Sequence, residues 1–265
     1  MKPGAILAEG KTKIIYANAD NPETVLMYFK DDITAGDGEK HDEFKSSGEV
    51  NWRINKDIFE LLNQKRISTH YIASPGRRYC EVHRLEQKIN LEIVVRRVAA
   101  GSYLKRYPEA REGDWFSEPK VEFFYKDDAL NDPKVDEKHL ELLLKKNPIY
   151  DQALVSGKKV FLALEQAFAV QDYQLIDLKI EEGFVRNKNG EPSQQVVIDD
   201  ITAGSLRLWP YLGSSLLPAP NVLSQLDKEG MLDKQLYRDG KSQKATMAGF
   251  RKMAEITGRF KEAYS

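Results

Sequence analysis

Cysteine is almost missing from this sequence: Cys80 stands alone, so no intramolecular disulfide can form and a reducing, cytoplasmic setting is expected. Histidine is scarce too. His41, His70, His83 and His139 fit no HExxH or paired-cysteine spacing, which argues against zinc. They are expected at surfaces or in local hydrogen bonds rather than in catalysis. No apolar run approaches the ~20 residues that cross a bilayer. The first thirteen residues, broken by Glu9 and Lys11, are too short in apolar run for a signal peptide, so no membrane partner is expected. No sign of charge dominates: 40 Lys and Arg face 41 Asp and Glu. Bulk nucleic-acid binding needs many unopposed cations, so nucleic acid is not expected as a partner. Small anions need only a local cluster and stay compatible with this balance. No sustained heptad or long repeat occurs.

What is present is a core-forming chain, 41% apolar over 265 residues, the size of one large domain or two joined lobes. KIIYA and VLMYF read as strands around the turn NADNPET, followed by a polar loop, DDITAGDGEK. From Ser47 to Asn63, Val50, Ile54, Ile58 and Leu61 or Leu62 recur at helical spacing. STHYIA, LEIVVRRVAA and VEFFY read as strands. Residues 134–146 and 151–170 read as helices. QLIDLKIEEGF and QQVVIDDIT read as two strands joined at NKNGE, whose Asn-Gly pair favours a tight turn. Residues 203–225 look irregular, and 234–262 look helical. Strands and helices interspersed imply an α+β protein of two lobes sharing a cleft.

Several constellations can carry chemistry. Gly10, Lys11, Thr12 and Lys13 precede a strand and can fold over a polyphosphate, although no P-loop spacing is present; a solvated arm is the plain alternative. Asp37 lies between Gly36 and Gly38, where a close approach to a hydroxyl or cation competes with an ordinary turn. Arg96 ends a buried-looking run, and a bend of small residues leads to Ser102 and to Lys105 or Arg106, a set suited to phosphate or carboxylate, with a plain charged strand end as the alternative. Asp177, Lys179 and Glu181 alternate with Ile176, Leu178 and Ile180, so they share one strand face. Asp199 and Asp200 end the next strand. Carboxylates converging from two strands repel unless a cation sits between them, and Mg²⁺ with nucleotide phosphates is the usual solution. Arg207 follows as an anion clamp or a structural ion pair. Lys126, Asp128 and Asp132 crowd a turn that either grips substrate or makes local Asx contacts. No Ser-His-Asp or Cys-His set emerges, and Cys80 reads as a small buried residue.

In order, GKTKIIY, DDITAGDG, VVRRVAAGSYLKR, FFYKDDALNDP, DLKIEEG, DDITAGSLRLWP and LDKQLYRD resemble the phosphoribosylaminoimidazole-succinocarboxamide (SAICAR) synthase family across residues 9–239. The forms LKRYP and RLWP resemble the branch fused to a carboxylase in animals; the length matches one synthase without that second domain.

The resemblance implies a two-lobed fold related to ATP-grasp, with a nucleotide cleft between a β-rich lobe, residues 1–90, covering ATP and a larger α+β lobe, residues 91–265. It implies ligation of L-aspartate to carboxyaminoimidazole ribonucleotide through an acyl phosphate, giving SAICAR, ADP and phosphate in purine synthesis. ATP and Mg²⁺ are the implied cofactors, and a homo-oligomer is compatible. Carried over, Gly10, Lys11, Thr12, Lys13, Asp37 and Lys179 would bind nucleotide, and Glu181 and Asp199 would hold Mg²⁺. Arg96, Ser102, Lys105, Asp128, Asp132 and Arg207 would bind substrate, and Lys13, Lys126, Asp128 and Arg207 would serve catalysis. Asp233, Lys234 and Arg238 echo the family's DKxxxR segment as a brace. Phosphorylation gives a poor electrophile a leaving group, so positioning and charge neutralisation suffice without a nucleophilic side chain.

The chain also departs from the family pattern. Gly204 stands where an acid usually follows the metal aspartate, Glu182 where a phenylalanine is usual, and Asn90-Leu91-Glu92 replace a proline-glutamate step. The Gly204 change opens one alternative, an amide ligase with another amine or heterocyclic carboxylate. A non-catalytic nucleotide-binding regulator is a second, although it would be free to lose Lys11, Lys13, Glu181, Asp199 or Arg207 and has kept them all. A kinase has only ATP chemistry in its favour.

Overall fold

The computed structural model describes residues 2–35, 40–126, 132–146, 148–186, 193–211, 230–240 and 242–261. Asp37 and Asp128 therefore lie outside the described residues. In chain order the strands of the first half are β1 (Pro3–Glu9), β2 (Lys13–Asn18), β3 (Thr24–Phe29), β4 (Asp32–Ala35), β5 (Lys40–Glu43), β6 (Tyr71–Gly76) and β7 (Tyr79–His83), with helix α1 (Ser47–Gln64) between β5 and β6. One antiparallel sheet has the order β1-β2-β3-β7-β6. The strand β1 had no apolar alternation to reveal it, because all seven of its residues are exposed. It is held as an edge strand by backbone pairing to β2. β4 and β5 form a small hairpin where a loop is expected from sequence. Ile33 and Phe44 are buried beneath it, and the Tyr237 ring meets Phe44 edge-on.

The second half adds β8 (Leu85–Val98), α2 (Ser102–Arg106), β9 (Trp115–Tyr125), α3 (Glu137–Lys146), α4 (Pro148–Ala169), β10 (Tyr173–Val185), β11 (Gln194–Ile198), β12 (Leu206–Pro210), α5 (Gln235–Arg238) and α6 (Gln243–Gly258). Its antiparallel sheet has the order β11-β10-β8-β9. β12 pairs with the first half of β10, along the edge that β11 occupies further on. The segment 199–205 is thus a bend between two strands laid end to end. β12 was read as irregular because Leu206, Leu208 and Trp209 bury both its faces, which removes the alternation of a half-exposed strand.

Val160, Phe161, Leu164 and Phe168 of α4 are fully buried against the second sheet. Each such side chain contributes about 1.5–3 kcal/mol by leaving water. Ile54, Ile58 and Leu62 of α1 are likewise buried, and α1 packs on α6. One continuous apolar cluster runs from Met27 and Phe29 of the first sheet through α1 to Leu178 and Ile180 of β10. The segment leading into β6 reaches the second sheet: Thr69 makes a parallel bridge to Val197 of β11, flanked by His70 N–H donating to Val197 O at 2.9 Å. Among the described residues no helix is long and apolar enough to cross a membrane.

Candidate functional site

β10 supplies the spine of the site. Asp177, Lys179 and Glu181 share a face by strand alternation, and each meets partners from neighbouring strands. Asp177 is the register partner of Arg96 on β8 and of Arg207 on β12. Arg96 Nη1 donates to Asp177 Oδ2 at 2.7 Å, and Arg207 Nη1 lies 3.4 Å from that oxygen. Arg96 Nε donates to Glu122 at 2.8 Å and its Nη2 to Ser102 Oγ at 3.3 Å. Arg207 Nε donates to Asp233 Oδ2 at 2.7 Å. Two nearly buried guanidinium groups are thus fixed around one carboxylate, with forks that suit an oxyanion. Gly101 makes room for this. Its φ is +57°, and a Cβ there would stand 2.7 Å from Arg207 Nη2. Lys105 is exposed, whereas its neighbour Arg106 turns inward to Glu122 at 2.7 Å.

Four residues along β10, Glu181 lies opposite Glu92, a like-charge pair that destabilises unless neutralised. Three lysines do that. Lys126 donates to Glu181, Lys88 Nζ lies 2.6 Å from Glu181 Oε2, and Lys179 donates to Glu92 at 2.5 Å. Burial alone would lower Lys179, but Glu92 and Glu181 outweigh it and hold its pKa above the ordinary value. Glu181 Oε2 is buried and held by the Lys88 ion pair without an aligned hydrogen bond.

Asp199 follows Ile198, the register partner of Glu181 on β11. Strand alternation would send Asp199 and Asp200 to opposite faces. The backbone overrides this: Asp199 takes φ +65° and ends the strand, and both carboxylates accept from Lys13 Nζ. Burial works against both ionised groups, yet the ion pair dominates, pushing Lys13 up and Asp199 down. Lys88 and Lys126 add to the field on Asp199, so they serve both Glu181 and Asp199. The bend is pinned from the first half of the chain. Asn55 of α1 accepts from Ile201 N–H at 3.0 Å, and the His70 ring meets Asp199 O at 3.1 Å. Burial pushes His70 down to about 4, so the ring is neutral.

Lys13 ends a tight turn that opens with Gly10, whose N–H donates to Lys13 O at 2.8 Å, and Lys30 N–H donates to Thr12 O at 2.9 Å. Gly10, Lys11 and Thr12 are thus carried at the hairpin between β1 and β2, beside the carboxylate pair. Asp132 has φ +45° and follows the segment that holds Lys126. Among the described residues no group of three or more His, Cys, Asp and Glu could hold a metal. Glu181 and Asp199 form a two-carboxylate set.

The structure brings Lys13, Lys126, Lys179, Glu181 and Asp199 to one end of this face, and Arg96, Ser102 and Arg207 to the other. Sequence reasoning missed Lys88, His70 and Glu122. Lys88 sits in the polar first half of β8, and His70 is a lone histidine in a short strand-like run. For Glu122 the signal was available, as a charged residue within the VEFFY strand.

A family model for SAICAR synthetase matches residues 6–253. A phosphoribosylaminoimidazole-succinocarboxamide synthase of Herpetosiphon aurantiacus is 41% identical over 243 residues, 90% of this chain and 89% of that protein. The crystal structure of such a synthase from Ehrlichia chaffeensis superposes with a TM-score of 0.80 at 30% identity, covering 96% of this chain and 98% of its own. A SAICAR synthetase solved in complex with ADP gives 0.76 at 31% identity, covering 94% of this chain and 96% of its own.

Proposed function

The chain belongs to the SAICAR synthetase family, and on that footing we propose that it joins L-aspartate to carboxyaminoimidazole ribonucleotide at the expense of ATP, with the residues of β10 and its neighbours in the roles that follow. One observation carries the reading. The guanidinium pair at Asp177 and the lysine-carboxylate centre at Glu181 and Asp199 lie on one strand face, four residues apart. At ~3.3 Å per residue that is about 13 Å, so one extended small molecule touches both ends. Arg96, Arg207 and Ser102 suit its phosphate, and the other end suits its reacting carboxylate and the nucleotide.

Gly10, Lys11, Thr12 and Lys13 stand where a nucleotide's phosphates would meet backbone amides and ammonium groups. That a similar synthetase was solved in complex with ADP supports nucleotide binding by this chain. Glu181 and Asp199 fit Mg²⁺. Glu181 and Asp199 both present hard carboxylate oxygens now neutralised by lysines, and two carboxylates leave the remaining positions to phosphate and water oxygens. Bound there, the ion would neutralise charge on the transferring phosphoryl group. Without it, Lys13 supplies the positive charge that Asp199 requires. Lys126 and Lys179 hold positive field beside the carboxylate as it becomes an acyl phosphate and as aspartate's amine attacks it. Asp37, Asp128, Asp132 and Lys105 remain proposed contacts on the family resemblance. The same reading takes in the kinship with ATP-grasp folds, the first lobe covering ATP and a cytoplasmic site of action. The reach of Lys13 from the first sheet to Asp199 and Asp200 supports the second of these.

The test is an omission series. With ATP, Mg²⁺, the ribonucleotide and L-aspartate present, phosphate and SAICAR should appear together, and dropping any one component should stop both. Turnover without aspartate, or a preferred different amine, would sink the proposal in favour of another ligase chemistry.

A further inference from the structure

Asn55 lies among the buried residues of α1, next to Ile54 and three residues before Ile58, and is itself fully buried. A buried amide is costly unless it is hydrogen-bonded. Among the described residues its Nδ2 meets Cys80 Sγ at 3.7 Å, a weak acceptor. The strong bond leaves the helix: Asn55 Oδ1 accepts from Ile201 N–H at 3.0 Å, 146 residues further along the chain. Turning the amide round would set its NH2 against a second donor, so only this orientation bonds. Ile201 is 0% exposed, and without Asn55 its N–H would be a buried donor left unpaired.

The rest of the bend closes on itself. Thr202 N–H donates to Ser205 Oγ at 2.7 Å, and Ser205 N–H to Thr202 O at 3.0 Å. The first half of the chain ties it on either side of Asp200, with the His70 ring at Asp199 O and Asn55 at Ile201 N–H. Between these ties Asp199 holds φ +65°. A non-glycine residue keeps a left-handed backbone only where its surroundings over-determine it. Released, Asp199 would relax to extended backbone, and alternation would send its carboxylate and that of Asp200 to opposite faces. Lys13 grips both carboxylates too, but a lysine side chain can swing to a nucleotide's phosphates. A bond from a packed helix to the backbone stays in place.

We propose that Asn55 is a positioning residue: through the Ile201 N–H it fixes the left-handed turn at Asp199, and so keeps that carboxylate with Glu181 as a seat for one divalent cation. The inference rests on the metal role proposed for Glu181 and Asp199. It extends that role to a helix residue that touches neither the ion nor a substrate. The carboxylate seat is then held from α1 as well as from its own strand.

Mn²⁺, followed by its electron paramagnetic resonance signal with ADP present, probes the seat without turnover. Asn55→Leu keeps the shape and removes the acceptor; Asn55→Ser is too short to reach Ile201. In both, the Mn²⁺ dissociation constant should rise about tenfold or more, as when a residue supporting a metal ligand is lost. Asn55→Asp keeps an oxygen facing the N–H and should lose no more than about threefold. Ile58→Val opens a small cavity in the same helix without touching the bend, and should leave Mn²⁺ binding within about twofold while lowering the melting temperature. In initial rates, the Mg²⁺ concentration for half-maximal turnover should rise in the Leu and Ser variants by more than KM for the ribonucleotide does. Circular dichroism shows which variants are folded, and either Leu or Ser suffices. Wild-type Mn²⁺ affinity in a folded Leu or Ser variant would overturn the inference, as would an equal loss in Ile58→Val or in Asn55→Asp, or a wild-type protein that binds no Mn²⁺. If that happened while the wild type made SAICAR, the ligase reading would survive. Asn55-dependent Mn²⁺ binding by a protein that makes no SAICAR would keep the inference and sink the ligase reading.

Discussion

Glu182 makes the sharpest prediction, because it differs from its neighbour Glu181 only in which face it occupies. Glu181 looks into the cleft and is surrounded by lysines. Glu182 looks the other way, beneath α4, and is 1% exposed. Its partners are neutral: Ser156 donates to Oε1, and Gln195 Nε2 donates to Oε2 at 2.5 Å. Burial without a cation pushes its pKa up to about 7 from an ordinary 4.5, with Gln195 pulling weakly the other way. At ~1.4 kcal/mol per pH unit, the gap corresponds to about 3 kcal/mol. The folded protein binds this proton more tightly than the unfolded chain does. The contribution is therefore complete below pH ~4.5, declines as pH rises towards about 7, and is lost above that. Glu182→Gln keeps the shape and removes the titration. Urea unfolding followed by circular dichroism, at pH 5, 6.5 and 8, should find the two proteins similar at pH 5. At pH 8 the variant should be the more stable by about 3 kcal/mol or a little less. Parallel stability curves across that range would refute the reasoning.

Other outcomes follow from the same geometry. Glu181→Gln or Asp199→Asn should cut Mg²⁺-dependent turnover by about 100-fold or more, checked by rates at limiting Mg²⁺; near-normal rates there would refute the metal assignment. Gly101→Ala must place a methyl against Arg207 and strain a positive φ. It should cost about 1–3 kcal/mol of stability and raise KM for the ribonucleotide, read by thermal unfolding and initial rates. His70 is neutral and buried, its pKa lowered by burial to about 4. Its stabilising contribution is present above pH ~6.5 and lost as pH falls towards 4, so its ring resonances should stay constant from pH 8 to 5.5 in NMR.

The parts of the fold readable in advance were those with a clean period. Val50, Ile54, Ile58 and Leu62 marked α1 because one stripe of that helix is buried and the rest is not. Asp177, Lys179 and Glu181 marked one face of β10 because charged side chains alternate there with Ile176, Leu178 and Ile180. β1 and β12 were hidden for opposite reasons, one exposed on both faces and one buried on both. Period carries information only when the two faces see different surroundings.

The chain by itself determined the inventory: a balanced set of charges, the alternation along β10, the small bend around Gly101 and the ordered family motifs. Only the tertiary structure decided which charges meet. Lys13 and Asp199 are far apart in sequence, and they pair because the segment leading into β6 is stitched to β11 at Thr69 and Val197. Asp200 joins them because Asp199 adopts a left-handed backbone that no alternation rule anticipates. Asn55 against Ile201 is likewise invisible in one dimension. Side-chain period follows from local geometry, whereas an ion pair depends on distance in space, and burial decides what each pairing is worth.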